Sequence, residues 1–294
     1  MKCLAAWIVV FIVLPMSVAA QPVSDPTDLD SDGIPGLAEP VRPTSQPPSA
    51  LAGSGTLLID RTHRNSFNVS GFSSYIADQG WIVLELTVGP VTQEALEGAD
   101  IFLVPTRAGG LGPIDPFSTE EIAAVQTFLA GGNGLWVPHD NVDPSGVNTL
   151  ATAFGVTFKY DYIQDPSNNE GELVWPTIHL LAPHAVTDGV TSYGYYGGDC
   201  IGVASPAEIL ASGDEDAYSL YCPAGTLPPT LAVWESEGRA VFSGDITPLH
   251  PNYYEPRLRP EEQLLLQNIA NWLLGPPPNA VESKTWGRVK ATFR

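Results

Sequence analysis

The sequence predicts an α/β protein built on a parallel sheet, and three observations carry that reading. From Thr56 onward short apolar runs recur along the chain. Helical patterns alternate with them, and turn residues bound each run, as expected where strands are buried on both faces by crossover helices.

The first residues do not belong to that domain. Lys2 supplies a positive charge, an apolar run follows from Leu4 to Leu14, and Ser17, Val18, Ala19 and Ala20 are small. This is the order of an export signal, and the run falls short of the ~20 residues a helix needs to cross a bilayer. Residues 1–20 are therefore expected to be cleaved, leaving a secreted or periplasmic chain with no membrane span. Residues 21–55 have the composition of a tether, with Pro40, Pro43, Pro47 and Pro48 among Ser, Thr and Gln.

Within the tether, Asp28, Asp30 and Asp32 occupy positions 1, 3 and 5 of a loop, with Gly33 at 6 and Glu39 at 12. A hard cation wants six to eight oxygens. Alternate aspartates, the Ile34 carbonyl and a bidentate Glu39 supply them, while Gly33 permits the turn. The loop resembles those of thrombospondin type 3 repeats, which implies structural Ca2+ held by Asp28, Asp30, Asp32, Ile34 and Glu39. Gly36 stands at position 9, where a water would take the ligand's place, and no helical pattern flanks the loop.

The domain is expected over residues 56–275. The runs Thr56–Asp60, Trp81–Leu86, Ile101–Pro105 and Gly134–Pro138 read as buried strands. Ser118 and Glu121 form a capping box, Ile122, Val125, Phe128 and Leu129 line one helical face, and Gly131-Gly132 ends it. A second helix is expected from about Pro260 to Leu274, stopped by Pro276, Pro277 and Pro278. Residues 157–245 read as further strands joined by long loops, and 276–294 as a tail.

The chain carries 33 acidic against 13 basic residues, a formal net charge of −20. Such a surface repels nucleic acid and anionic lipid. Of its 3 cysteines, Cys3 leaves with the export signal. Cys200 and Cys222 remain, and an oxidising compartment favours a disulfide between them over two separate buried thiols.

Several segments together resemble a family: Asp60-Arg61-Thr62-His63-Arg64-Asn65-Ser66-Phe67, Leu96 to Ile101, Phe117 to Ile122, Pro183 to Val190, and Gly238 to Asp245. In this order they resemble a poorly characterised group in the class I glutamine amidotransferase-like superfamily, related to the trehalose-utilisation-like proteins. The resemblance implies a flavodoxin-like open parallel sheet with helices on both faces. Glutaminase chemistry needs a thiolate on a strand-to-helix turn, but the matching strand ends Trp136-Val137-Pro138-His139-Asp140-Asn141, with neither cysteine nor serine. Asn252 follows His250-Pro251 where that family carries an acidic partner, so glutaminase activity is not expected.

An open parallel sheet binds ligands beyond the carboxyl ends of its strands. Asp60, His63 and Asn65 follow the first strand, His139 and Asp140 the fourth, and Asp245 and His250 a late one. Strands one and four are expected to be neighbours, bringing His63 and His139 to one pocket. Such a set suits a small-molecule or carbohydrate ligand, a divalent metal or general acid–base work. Equally, the aspartates can cap loops and the histidines satisfy backbone groups. The leading expectation is non-catalytic ligand binding. A metal-assisted hydrolase using His63, His139, Asp140 and Asp245, and a structural cell-surface module, are the alternatives.

Overall fold

The first apolar run forms β1 (Thr56–Asp60), buried at four of its five positions. A computed structural model describes residues 51, 53–108, 112–254 and 258–275. The export signal, the calcium loop and the basic tail lie outside them. The chain divides into units 1–43 and 44–294, and every described residue belongs to the second.

After β1 come α1 (Ser70–Asp78), β2 (Ile82–Leu86), β3 (Ile101–Leu103), α2 (Thr119–Ala130) and β4 (Gly134–Pro138). A short α3 (Val147–Ala151) leads to β5 (Val156–Phe158), then β6 (Thr177–Ile178), β7 (Leu180–Leu181), β8 (Tyr193–Gly194) and β9 (Ile201–Val203). The chain closes with β10 (Glu208–Ser212), β11 (Pro229–Glu235), β12 (Arg239–Ser243), α4 (Pro251–Tyr254) and α5 (Pro260–Leu273).

Eight strands make one sheet in the order β2-β1-β3-β4-β12-β11-β10-β7. The first five are parallel to one another, and β11, β10 and β7 extend the sheet in antiparallel fashion. The fold is α/β and flavodoxin-like, with that antiparallel wing added. Alternation along the strands divides the core. Leu57, Ile59, Trp136 and Val241 face α1 and α5, while Leu58, Phe102, Val137 and Phe242 face α2 and α3. Gly134 lets α5 close on the sheet: a Cβ there would stand 2.7 Å from the Leu273 Cβ.

Two expectations change. β1 and β4 are not neighbours, because β3 lies between them and pairs with both. The chain crosses outward from β1 to β2 and then returns past β1 to lay down β3, so β4 is one place further along. β2 is also no buried strand. It forms the sheet edge, with Ile82 and Leu84 about half exposed. No helix among the described residues is long and apolar enough to cross a membrane.

Cys200 and Cys222 are joined, with Cα atoms 6.7 Å apart at a sequence separation of 22. Closing a loop of that length restricts the unfolded chain, a stabilisation of about 3 kcal/mol. Denatured, unreduced protein without residues 1–20 is expected to show no free thiol, and reduction to lower the urea midpoint accordingly. Two titratable thiols per chain contradict the pairing.

Candidate functional site

The end of β1 is built around one histidine. Asp60 is fully buried and accepts the Thr62 N–H at 2.9 Å and hydroxyl at 2.8 Å on one oxygen. Its other oxygen meets His63 Nδ1 at 2.8 Å. His63 Nε2 faces Glu121 at 3.3 Å, and the ring stacks on Phe117 with centroids 3.8 Å apart. Glu121 closes the capping box of α2 with Ser118 and also accepts the Val91 N–H. Burial pushes the His63 imidazole down, but the bond and charge of Asp60 and the charge of Glu121 outweigh it and hold it above its ordinary value. Both ring nitrogens are engaged, so His63 clamps β1 to the first turn of α2. Asn65 completes the loop, accepting the His63 N–H and donating to the Pro105 carbonyl at 2.6 Å.

The end of β4 is organised differently. His139 is buried, stacked on Phe158 at 4.8 Å, and its Nδ1 bonds Asp199. Burial lowers the imidazole to about 3 and lifts the Asp199 carboxyl well above the carboxylate range, where the Asp140 and Asp161 charges push it further. Both shifts favour the neutral forms, so burial works against a charged pair here. Tyr195 donates its hydroxyl to the Asp199 carbonyl. A Cβ on Gly244 would strike that Tyr195 oxygen and the Asp199 backbone, so only glycine fits here.

Asp245, beyond β12, accepts the Tyr196 N–H at 2.7 Å and the Thr247 N–H at 2.8 Å. Burial raises its carboxyl, and the Asp140 charge adds to the rise. Asp140 sits close to both neighbours. It is densely surrounded yet partly open to solvent, and its carboxylate accepts the Asn141 N–H at 2.7 Å. Burial raises it to about 7, against the opposing bond from Asn141. A carboxyl that titrates near neutrality can donate or accept a proton on demand.

His63 and His139 thus lie at the same sheet edge but two strands apart, about 10 Å at the usual strand spacing, and they hold different partners. Asp140 and Asp245 belong with His139, and Asp60 and Asn65 with His63. His250 stands apart, accepting the Asn252 N–H at 3.2 Å with its ring edge-on to Phe67. The ligand atoms of the strand-end residues do not gather as a coordination sphere among the described residues. Sequence reasoning missed three members. Glu121 was legible only as a helix cap, Asp199 sits in a loop without periodicity, and Thr106 follows β3 with its buried hydroxyl unpartnered. The Asp199 Oδ1 is likewise buried and unpartnered.

No family model matches the chain, and no curated protein matches it. Among solved structures it is similar to the mmIFT52 N-terminal domain, with TM-score 0.60 and 14% identity over 74% of this chain and 97% of that one. It is also similar to a putative ThuA-like protein from Bacteroides uniformis, with TM-score 0.49 and 14% identity over 78% of this chain and 94% of that one. At such identities the first likeness speaks for the shared fold alone.

The Asp140 carboxyl yields a prediction. Its unfolded value lies near ~3.9, so from about pH 4 to 7 the folded carboxyl holds a proton that the unfolded chain has released. Stability then falls as pH rises through that window and is level above it. Asp140→Asn is expected to lose less stability than the parent between pH 4.5 and 7.5, read from urea midpoints. Equal losses in the two proteins contradict the raised carboxyl.

Proposed function

We propose that this chain is an exported, non-catalytic binding protein whose domain holds a neutral, hydroxyl-rich ligand of the carbohydrate class at the ends of β4 and β12. Asp140 carries the reading: a carboxyl partly open to solvent, titrating near neutrality, and in electrostatic contact with Asp199 and Asp245. Such a group accepts a sugar hydroxyl when ionised and donates to one when protonated. Tyr196 donates its backbone N–H to Asp245, and its ring meets Trp175 at 6.0 Å and Tyr253 at 5.5 Å. All three residues are partly exposed, unlike the buried Tyr193 and Tyr195. Partly exposed aromatic faces beside a carboxylate suit the apolar face and polar rim of a sugar ring. A net charge of −20 disfavours anionic ligands.

Catalysis by a thiolate has no support, since Cys200 and Cys222 are spent in the disulfide. A metal-assisted hydrolase finds little either, with His63 bound through both nitrogens and His139 tied to Asp199. Export rests on the residues 1–20 pattern, and a calcium-stiffened tether on Asp28, Asp30, Asp32, Ile34 and Glu39.

Calorimetric titration of the full mature chain with a panel of neutral mono- and disaccharides tests the proposal. At least one sugar is expected to bind, with Asp140→Ala and Trp175→Ala each weakening it tenfold or more while the domain stays folded. Absence of binding across the panel, or unaltered binding in both variants, contradicts it.

A further inference from the structure

Away from the strand ends, a second group of carboxylates gathers where two loops meet. Gln164 and Tyr218 form an antiparallel bridge, with the Gln164 N–H donating to the Tyr218 carbonyl at 2.7 Å and the reverse bond at 2.8 Å. The Tyr218 hydroxyl adds a bond to the Gln164 side chain at 2.8 Å. This bridge sets Asp165 against the Asp214-Glu215-Asp216 turn. One carboxylate oxygen from each of Asp165, Asp214 and Asp216 lies within 4.8 Å of the others.

An acidic cluster alone means little, but here one oxygen is stranded. Asp165 is 1% exposed. Its Oδ1 accepts the N–H groups of Ser167 at 3.0 Å and Asn168 at 2.7 Å, whereas Oδ2 is buried and has no hydrogen-bond partner. Burying a carboxylate oxygen without a donor is costly. Burial raises the Asp165 carboxyl against those two N–H bonds, and the charges of Asp214 and Asp216 raise it further. A positive charge held by the three would relieve the repulsion, and one that also reaches Asp165 Oδ2 would give that oxygen the partner it lacks.

The donors are all hard oxygens. About a calcium ion at 2.3–2.6 Å, opposite ligands stand roughly 5 Å apart, which the 4.8 Å limit on these oxygens accommodates. Their neighbours hold them in place: Asp214 accepts the Asp216 and Ala217 N–H groups at 3.2 Å and Asn168 Nδ2 at 2.6 Å, and Asp216 accepts the Ser167 hydroxyl at 2.8 Å. His179 Nε2 stands 3.7 Å from Asp214 at the rim.

We infer that Asp165, Asp214 and Asp216 form a calcium site that locks the loop after β5 to the turn after β10, separate from the N-terminal loop and from the strand-end site. Water completes the shell, and the disulfide ties the segment after β10 to Cys200 just before β9, whose N–H donates to Asp161 in the loop after β5.

The test uses the full mature chain with Asp28→Asn, Asp30→Asn and Asp32→Asn, so that the N-terminal loop contributes nothing. Thermal unfolding is compared in chelator and in 1 mM calcium chloride. The melting temperature is expected to rise by ~5 °C or more if calcium stands a hundredfold above its Kd. Asp216→Asn, a partly exposed change that spares the core, is expected to weaken calcium binding at least tenfold. Asp165→Asn is expected to abolish the rise while melting no lower than its parent in chelator, because it relieves the repulsion. No calcium effect in the parent, an undiminished effect in Asp216→Asn, or a lower melting point for Asp165→Asn in chelator would overturn the site.

Discussion

Five parallel strands deliver their carboxyl ends to one edge, and at that edge the chain must bury charge. Everything else in the domain accommodates this constraint. Asp60, Asp199 and Asp245 are each less than a tenth exposed, and an unpartnered ionised carboxylate in such a place is unaffordable. The chain resolves the problem in two opposite ways. At β1, Asp60 and Glu121 bracket His63 and hold its imidazole above the ordinary value, and the cluster fastens the strand to α2. At β4, burial favours protonation of Asp140, Asp199 and Asp245, the Asp140 charge adds to the rise at the other two, and burial disfavours the charged form of His139.

The two solutions have different consequences for function. A buried ion cluster with every nitrogen engaged is a structural tie, since removing one partner strands the others. A crowded carboxyl cluster holds protons near neutrality and keeps one member, Asp140, within reach of solvent. The same edge therefore supplies rigidity at one strand and adaptable polarity two strands away. Gly244 connects the second half to the antiparallel wing by donating its N–H to Thr230 of β11, and the turn bearing Asp214 follows β10 of that wing.

Much of the frame was legible in the sequence. Thr56–Asp60 and Gly134–Pro138 are strands to the residue, and Ser118 and Glu121 make the expected capping box, because burial on both faces and helix capping are local effects. The strand order was not legible: whether β3 inserts between β1 and β4 depends on crossover direction, which no local pattern records. At the site, Asp60, His63, His139, Asp140 and Asp245 were visible as polar residues at strand ends. Their partition into two clusters was not, since it turns on Asp199, 60 residues from His139 along the chain, and on Glu121, whose cap role masked its contact with His63. Asp165 and Asp214 had no signal at all until the Gln164–Tyr218 bridge brought their loops together.

Two histidines at one sheet edge are shifted in opposite directions, His63 upward by Asp60 and Glu121 and His139 downward by burial. Nitrogen-resolved NMR of the imidazoles at pH 6.5 tests it most directly. His63 is expected to carry protons on both ring nitrogens and His139 on one, with His139 unchanged on acidification to about pH 4. Two imidazoles titrating together near ~6.5, the ordinary histidine value, would contradict the account.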